Sequence, residues 1–157
     1  MRLLVQGIPT EAARRLQAGS LDAHGQLPLR RRATGTGNPC RHCLQPVAEG
    51  DEMLVLAYRP FDTLQPYAEV GPVFLHAKAC TRHVDEQLPA WMTRMTPALV
   101  RGYGADDWIR YDTAAVVTGP ELHAACVGIL SDPSVAYVHL RSKFNCFQCR
   151  VQRADTE

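Results

Sequence analysis

The stretch that decides the fold is Val135-Ala136-Tyr137-Val138-His139-Leu140-Arg141. Its small and aliphatic residues alternate with rings and an arginine, so that Ala136, Val138 and Leu140 share one face. A period of two is typical of a β-strand. Residues 142–145 then predict a turn, and residues 146–153 predict the strand that returns beside it as a hairpin.

The rest of the chain mixes further strands with few helices. Helices are predicted to begin at Pro9, to follow Cys80 until near Pro89, and to occupy residues 119–130, where Pro120 suits the first turn. Strands are predicted at residues 2–6, 27–33, 52–58, 72–76, 99–103 and 114–117. This pattern predicts an α+β fold, with one domain over residues 1–157, a mostly antiparallel sheet and two or three helices.

Size and composition exclude several classes of protein. A chain of 157 residues with 46% hydrophobic content can bury a core without help from a metal. Its apolar runs are far shorter than the roughly 20 residues of a spanning helix, and its start lacks the features of a signal peptide. We therefore expect a cytoplasmic protein that does not enter membranes. Disulfides are rare in that compartment, so paired cysteines indicate metal or redox chemistry.

Cysteines stand at positions 40, 43, 80, 126, 146 and 149, and two pairs have Cys-x-x-Cys spacing. Two residues between ligands let a tight turn aim both thiolates at one Zn²⁺ ion, which prefers four such ligands in a tetrahedron. The turn at Cys40-Arg41-His42-Cys43 is therefore predicted to form half of a zinc-knuckle-type site. Cys126 lies on the apolar face of the clearest predicted helix, which favours a core position.

Two ligand sets remain open for the other half of the site, and a mixed set is a third possibility. One set joins the two Cys-x-x-Cys turns and consists of Cys40, Cys43, Cys146 and Cys149. The other consists of Cys40, Cys43, His76 and Cys80. Its order resembles a treble-clef zinc finger of the poly(ADP-ribose) polymerase type, except that three residues separate His76 from Cys80 where that finger usually has two.

A redox role for the first pair is disfavoured. Cys-Arg-His-Cys has the active-site spacing of thioredoxin-like oxidoreductases, whose first cysteine begins a helix that lowers its pKa. Pro46 and Glu49-Gly50-Asp51 instead predict a turn and a strand.

Polar residues embedded in β-rich segments suggest a second site, for a small anion. The candidates are Arg59, Tyr67, His139 and Arg141. Arginine binds carboxylates and phosphates through two parallel hydrogen bonds, and histidine adds a titratable donor. The alternative is that Tyr137, His139 and Arg141 form the solvent-facing side of an antiparallel sheet.

The first part of the chain is basic. Residues 1–43 hold seven arginines and two acidic residues. Such an excess indicates either a solvated surface or an anionic partner such as nucleic acid, which would contact Arg30 and Arg32.

Several further stretches are familiar in combination: residues 39–44 (PCRHCL), 57–61 (AYRPF), 66–69 (PYAE), 71–76 (GPVFLH), 101–103 (RGY), and 135–141 (VAYVHLR) followed by Asn145-Cys146. Together they resemble a bacterial family, domain of unknown function 1203, over nearly the whole chain. The resemblance implies a single-domain protein and supplies no catalytic residue. We therefore expect a zinc-stabilised binding or interaction protein. The alternatives are an enzyme acting on a small anionic substrate at the His139/Arg141 face and a nucleic-acid-binding module.

Overall fold

A computed structural model describes residues 1–35 and 37–154. Its strands are β1 (Leu3–Gln6), β2 (Leu29–Arg32), β3 (Glu52–Tyr58), β4 (Gly71–His76), β5 (Val84–Asp85), β6 (Ala98–Tyr103), β7 (Ile109–Val117), β8 (Tyr137–Ser142) and β9 (Phe147–Arg153). Its α-helices are α1 (Thr10–Gln17) and α2 (Leu122–Leu130), and short 3-10 helices lie at Ala90–Arg94 and Gly119–Glu121.

The strands form two antiparallel sheets. The larger has six strands in the order β5-β1-β9-β8-β6-β7, and the smaller has three in the order β2-β3-β4. The predicted hairpin of β8 and β9 lies near the centre of the larger sheet, where Val138 pairs with Val151. The α+β class and the mostly antiparallel sheet predicted from the sequence are confirmed.

One face of the larger sheet packs against α2 to form the main core. Val100, Val138 and Leu140 meet the helix there. The helix contributes Leu122, Cys126 and Leu130, all of them buried. The predicted core position of Cys126 is therefore confirmed. Val138 and Leu140 lie on this face as the alternation of β8 predicts, because successive side chains of a strand point to opposite sides.

A second core lies between α1 and the smaller sheet. Ala13 and Leu16 of α1 are buried in one cluster with Leu54 and Leu75 of β3 and β4. The cluster also takes in Phe147 at the start of β9, so it reaches the larger sheet.

The second face of β8 is also buried. Tyr137, His139 and Arg141 are exposed by only 1%, 0% and 4%. Phe61, in the segment after β3, packs against this face, with its ring centroid 5.1 Å from that of His139. The solvent-facing alternative for this side of the sheet is therefore wrong, because a second layer covers it.

The helix predicted after Cys80 is also wrong. The chain runs there as a loop into β5, which pairs with β1 at the edge of the larger sheet. Tertiary hydrogen bonds hold the loop in this path: His83 donates its backbone N–H to the His42 carbonyl and accepts one from Gly7. Such contacts override a local helical preference. The strand predicted at residues 114–117 is longer than expected and begins at Ile109.

None of the helices in the described residues has the length and apolar character needed to cross a membrane.

Gly7 lies where the end of β1 touches the Cys-x-x-Cys turn, and this contact predicts a large effect of substitution. A Cβ added there would collide with the His42 carbonyl oxygen and lie 2.9 Å from that of Arg41. We expect Gly7→Ala to lower the free energy of unfolding by about 2 kcal/mol or more, measured by urea denaturation, because backbone atoms on both sides would have to move.

Gly128→Ala is the matched control, because a Cβ at this helical position has no neighbour within 4 Å. It is expected to raise the free energy of unfolding by about 0.5 to 1 kcal/mol, since alanine favours helices over glycine. Equal effects of the two substitutions would contradict the close approach at Gly7.

Candidate functional site

The first Cys-x-x-Cys pair lies on a tight turn between Pro39 and Pro46. Cys40 donates its backbone N–H to Gln45 and accepts one from Leu44, both at 2.9 Å. Leu44 has a φ of 56°, a left-handed conformation that few residues other than glycine adopt. The turn is therefore held in an unusual shape, which places the thiols of Cys40 and Cys43 on one side.

The smaller sheet and α1 position the other two side chains. The turn docks on β4, because Arg41 donates its backbone N–H to the Phe74 carbonyl at 2.9 Å. His76 ends β4, and Cys80 follows in the loop. The α1 side chains hold this loop: Gln17 donates to the His76 carbonyl and Arg14 to that of Cys80. Helix α1 thus lies against the site, and the chain after Cys80 runs as a loop.

One group in the described residues combines three or more side chains at metal-binding distance: Cys40, Cys43, His76 and Cys80. Their ligand atoms all lie within 4.8 Å of one another, and we call them the Cys3His cluster. Sγ of Cys40 lies 3.8 Å from Sγ of Cys80, and Sγ of Cys43 lies 3.4 Å from Nδ1 of His76.

These separations fit a tetrahedral metal ion. With the bond lengths that Zn²⁺ takes, two sulfurs of a regular tetrahedron lie about 3.8 Å apart, and a sulfur and a nitrogen lie about 3.6 Å apart. Cys40 is buried, and the other three residues are partly exposed. The cluster could therefore hold a metal ion with four protein ligands, near enough to the surface for the ion to enter.

Hydrogen-bonding groups lie beside two sulfurs of the cluster. Nδ1 of His42 lies 3.1 Å from Sγ of Cys80, and its Nε2 lies 3.0 Å from Oγ1 of Thr10. The backbone N–H of His76 donates to Sγ of Cys40 at 3.4 Å. Such contacts stabilise thiolate charge and orient metal ligands. Sequence reasoning missed His42, because its position inside Cys-x-x-Cys does not distinguish a buried side chain from an exposed one.

The thiols of the cluster differ in acidity before any metal binds. A hydrogen bond with the Cys43 thiol lowers the pKa of Cys40, and the backbone amides of residues 42, 43 and 76 lower it further. Burial and the nearby charge of Cys40 raise the pKa of Cys80 to about 11. A bound cation would override these differences, because it favours the thiolate form of every cysteine that it contacts. Metal binding would therefore release protons.

The second Cys-x-x-Cys pair is not part of this cluster. Cys149 is fully buried in the main core, opposite Leu140 on β8. Cys146 lies in the turn before β9, where its thiol contacts the Phe144 carbonyl. The structure therefore does not join Cys146 and Cys149 to Cys40 and Cys43, and it favours the ligand set with His76 and Cys80.

The four residues expected at an anion site are not all brought together. Arg59 and His139 line one pocket. Tyr67 lies elsewhere, with its hydroxyl 3.0 Å from that of Tyr111. Nη2 of Arg141 lies 3.1 Å from a carboxylate oxygen of Glu69, at ion-pair distance but without hydrogen-bond alignment, so an acid already faces this arginine.

The pocket that Arg59 and His139 line also contains Arg82 and Arg150, and we call it the arginine pocket. It encloses about 300 Å³ between β1, the end of β3 and the polar face of β8 and β9. Sequence reasoning did not single out Arg82 and Arg150. The alternation of residues 146–153 was the available signal for Arg150, while no local pattern marked Arg82.

His139 is fully buried at the floor of this pocket. Burial lowers its pKa well below the ordinary value, and the positive charges of Arg141, Arg150 and Arg101 lower it further. The ring is therefore neutral at pH 7, with one donor and one acceptor nitrogen.

Strand β2 carries three of the seven arginines in the basic part of the chain, Arg30 to Arg32. All four residues of β2 are exposed, and Nη1 of Arg30 forms an ion pair with Glu52 at 2.6 Å. Nη1 of Arg32 donates to the Gly50 carbonyl. The charge excess of residues 1–43 is thus partly compensated by neighbours.

Comparison with known protein families gives a match over residues 37–153, to the family described as protein of unknown function (DUF1203). The matched range includes the whole Cys3His cluster and the three arginines of the arginine pocket. No curated protein and no solved structure matches the chain.

His42→Phe tests the contact with Cys80, because phenylalanine fills a similar volume without a donor. We expect the affinity of the cluster for Zn²⁺ to fall about 10- to 100-fold, as for other groups that orient metal ligands, measured by competition with a chromogenic chelator. His123→Phe changes an exposed histidine of α2 and is expected to leave affinity unchanged. The same affinity in both variants would contradict a role for His42.

The buried His139 predicts a pH effect on stability. Below pH about 6.5 His139 is protonated in the unfolded chain but stays neutral in the folded protein. The free energy of unfolding therefore falls as the pH drops. The loss approaches about 1.4 kcal/mol per pH unit. In His139→Gln, urea denaturation between pH 7 and pH 5 is expected to show a shallower fall than in the parent protein. Parallel curves would contradict a neutral His139.

Proposed function

This chain belongs to the DUF1203 family, and we propose that it is a binding protein built around a structural zinc ion held by Cys40, Cys43, His76 and Cys80. The separation of 3.8 Å between the sulfurs of Cys40 and Cys80 carries the proposal, because it equals the edge of a tetrahedral Zn–S site. Cysteine and histidine ligands in this geometry favour Zn²⁺ over Mg²⁺, Ca²⁺ and Mn²⁺.

A structural role follows from the number of ligands. Four protein side chains complete the coordination of Zn²⁺, whereas catalytic zinc sites keep one position for water or substrate. The ion would join the turn at residues 40–43 to the end of β4 and to the loop before β5. The proposal places the protein in a reducing compartment such as the cytoplasm, where thiols remain available to a metal.

An enzyme acting on a small anionic substrate is the second candidate. The observation that favours it is the neutral, buried ring of His139 in the arginine pocket, because histidines with shifted pKa values in a cleft often transfer protons. A binding protein returns its ligand unchanged, so incubation with candidate anions followed by product analysis separates the two.

A nucleic-acid-binding role remains a prediction from the charge of residues 1–43. It requires binding that weakens with salt and with substitution of Arg30 and Arg32 by alanine.

Metal analysis of protein purified without a histidine tag tests the zinc proposal. We expect about one zinc ion per chain, lost in Cys43→Ser and retained in the matched variant Cys146→Ser. Removal of the ion by a chelator is expected to lower the melting temperature, and added Zn²⁺ to restore it, because a bound ion stabilises the folded state.

Three results would argue against this proposal: purified protein that contains iron or no metal, equal metal loss in the two variants, or a melting temperature indifferent to zinc removal.

A further inference from the structure

The polar face of the larger sheet has a continuous row of hydrogen-bonding side chains. Gln6 pairs with Arg150, Arg150 with His139, and His139 with Arg101, on the four adjacent strands β1, β9, β8 and β6. Residues directly opposite each other on neighbouring strands point to the same face. The row thus brings groups from distant parts of the chain into one line, and Gln6, Arg150 and His139 line the arginine pocket.

His139 has unused hydrogen-bonding capacity in a place where this is costly. Neither ring nitrogen has a hydrogen-bond partner in the described part of the chain, although the residue is fully buried. A buried polar group without a partner destabilises the folded state, because it loses the hydrogen bonds that water makes to it in the unfolded chain. An apolar side chain would fill the space of His139 without this cost. The unpaired ring nitrogens therefore indicate a ligand that forms hydrogen bonds with them.

Two of the three arginines of the pocket also have a buried nitrogen without a partner. Nε of Arg59 and Nε of Arg150 are buried without a hydrogen-bond partner among the described residues. Arg82 is fixed by a hydrogen bond from Nε to the Gly7 carbonyl at 2.9 Å. Within residues 1–35 and 37–154, none of the three forms an ion pair with an acidic side chain.

The positive charge of the pocket is therefore largely uncompensated. Asp62 is the one acidic side chain that lines it in the described residues, against three arginines. The guanidinium carbon of Arg150 lies 3.7 Å from the ring centroid of Tyr137, which holds this side chain in place. Prearranged arginines recognise oxyanions strongly because the bonds are charge-assisted and paired.

The walls of the pocket add an apolar surface. Phe61 and Phe147 flank the His139 ring, with centroids 5.1 Å and 4.9 Å away. A volume of about 300 Å³ is at the lower end of the range for small-molecule sites. The space and its lining suit a ligand with an anionic head and a compact apolar or aromatic body.

We infer that the arginine pocket binds a small organic oxyanion, a carboxylate or a phosphate monoester, through Arg59, Arg82, Arg150 and the ring of His139. The inference names the ligand class of the binding protein proposed above, and it rests on that proposal. The pocket and the Cys3His cluster have no residue in common, but Arg82 lies on the loop that Cys80 would anchor to the ion, so anion binding is measured on zinc-loaded protein.

Isothermal titration with benzoate and with phenyl phosphate, at matched ionic strength, tests the inference. Benzyl alcohol is the neutral control for the apolar body. At least one of the two anions is expected to bind at one site per chain, and benzyl alcohol at least tenfold more weakly. Benzoate alone would identify a carboxylate ligand, and phenyl phosphate alone a phosphate monoester.

Variants locate the binding. Arg82→Gln and Arg150→Gln are each expected to weaken anion binding about tenfold or more, the usual effect of losing a charged hydrogen bond. Arg94→Gln removes an exposed arginine outside the pocket and is expected to leave affinity unchanged. Arg59→Gln is the reserve variant if Arg150→Gln does not fold, since Arg150 contacts Tyr137.

Zinc content and melting temperature, measured on the same samples, separate this inference from the zinc proposal. Absence of anion binding by zinc-loaded, folded protein would overturn the inference and leave the zinc site standing. Equal binding of benzyl alcohol, or equal weakening in Arg94→Gln, would also overturn it.

Discussion

The structure depends on β8 having two buried faces of opposite character. Val138 and Leu140 meet α2 in the main core, while Tyr137, His139 and Arg141 lie under the segment after β3. A one-residue shift in strand register would place His139 in the apolar core and Leu140 beneath the polar layer. Because both errors are costly, the pairing of β8 with β6 and β9 is strongly specified. The remaining elements are arranged around this fixed strand.

The Cys3His cluster joins parts of the chain that the larger sheet does not organise. Its turn docks on β4, its loop leads into β5, and α1 closes the space beside it. The buried Arg41 extends this connection, since its Nε donates to the Phe147 carbonyl at the start of β9 and its guanidinium lies against the Phe74 ring. A metal bound here would act as a local cross-link between the two sheets, in a chain whose apolar cores are already substantial.

Sequence patterns predicted the elements whose conformation is determined by residues close to one another in the chain. Alternation predicted β8, helical spacing with Pro120 predicted α2, and Cys-x-x-Cys spacing predicted the turn at residues 40–43. Spacing alone left two partners for that turn open, because the choice depends on which distant segment the fold brings near. The helix expected after Cys80 failed for the same reason: bonds to residues 7 and 42 determine its path. Burial of His139 was also unpredictable, since alternation gives two faces but not what covers them.

The position of β2 in the smaller sheet gives its arginines a further physical effect. The sheet runs β2-β3-β4, and the turn at residues 40–43 covers the outer side of β4 through the bridge between Cys40 and Phe74. In the described residues this leaves β2, with three consecutive exposed arginines, as the open edge. Unpaired backbone groups at such an edge invite pairing with a second molecule, and like charges on both strands oppose it. The arginine run thus opposes pairing of this edge with a second copy of the chain, whatever else it contacts.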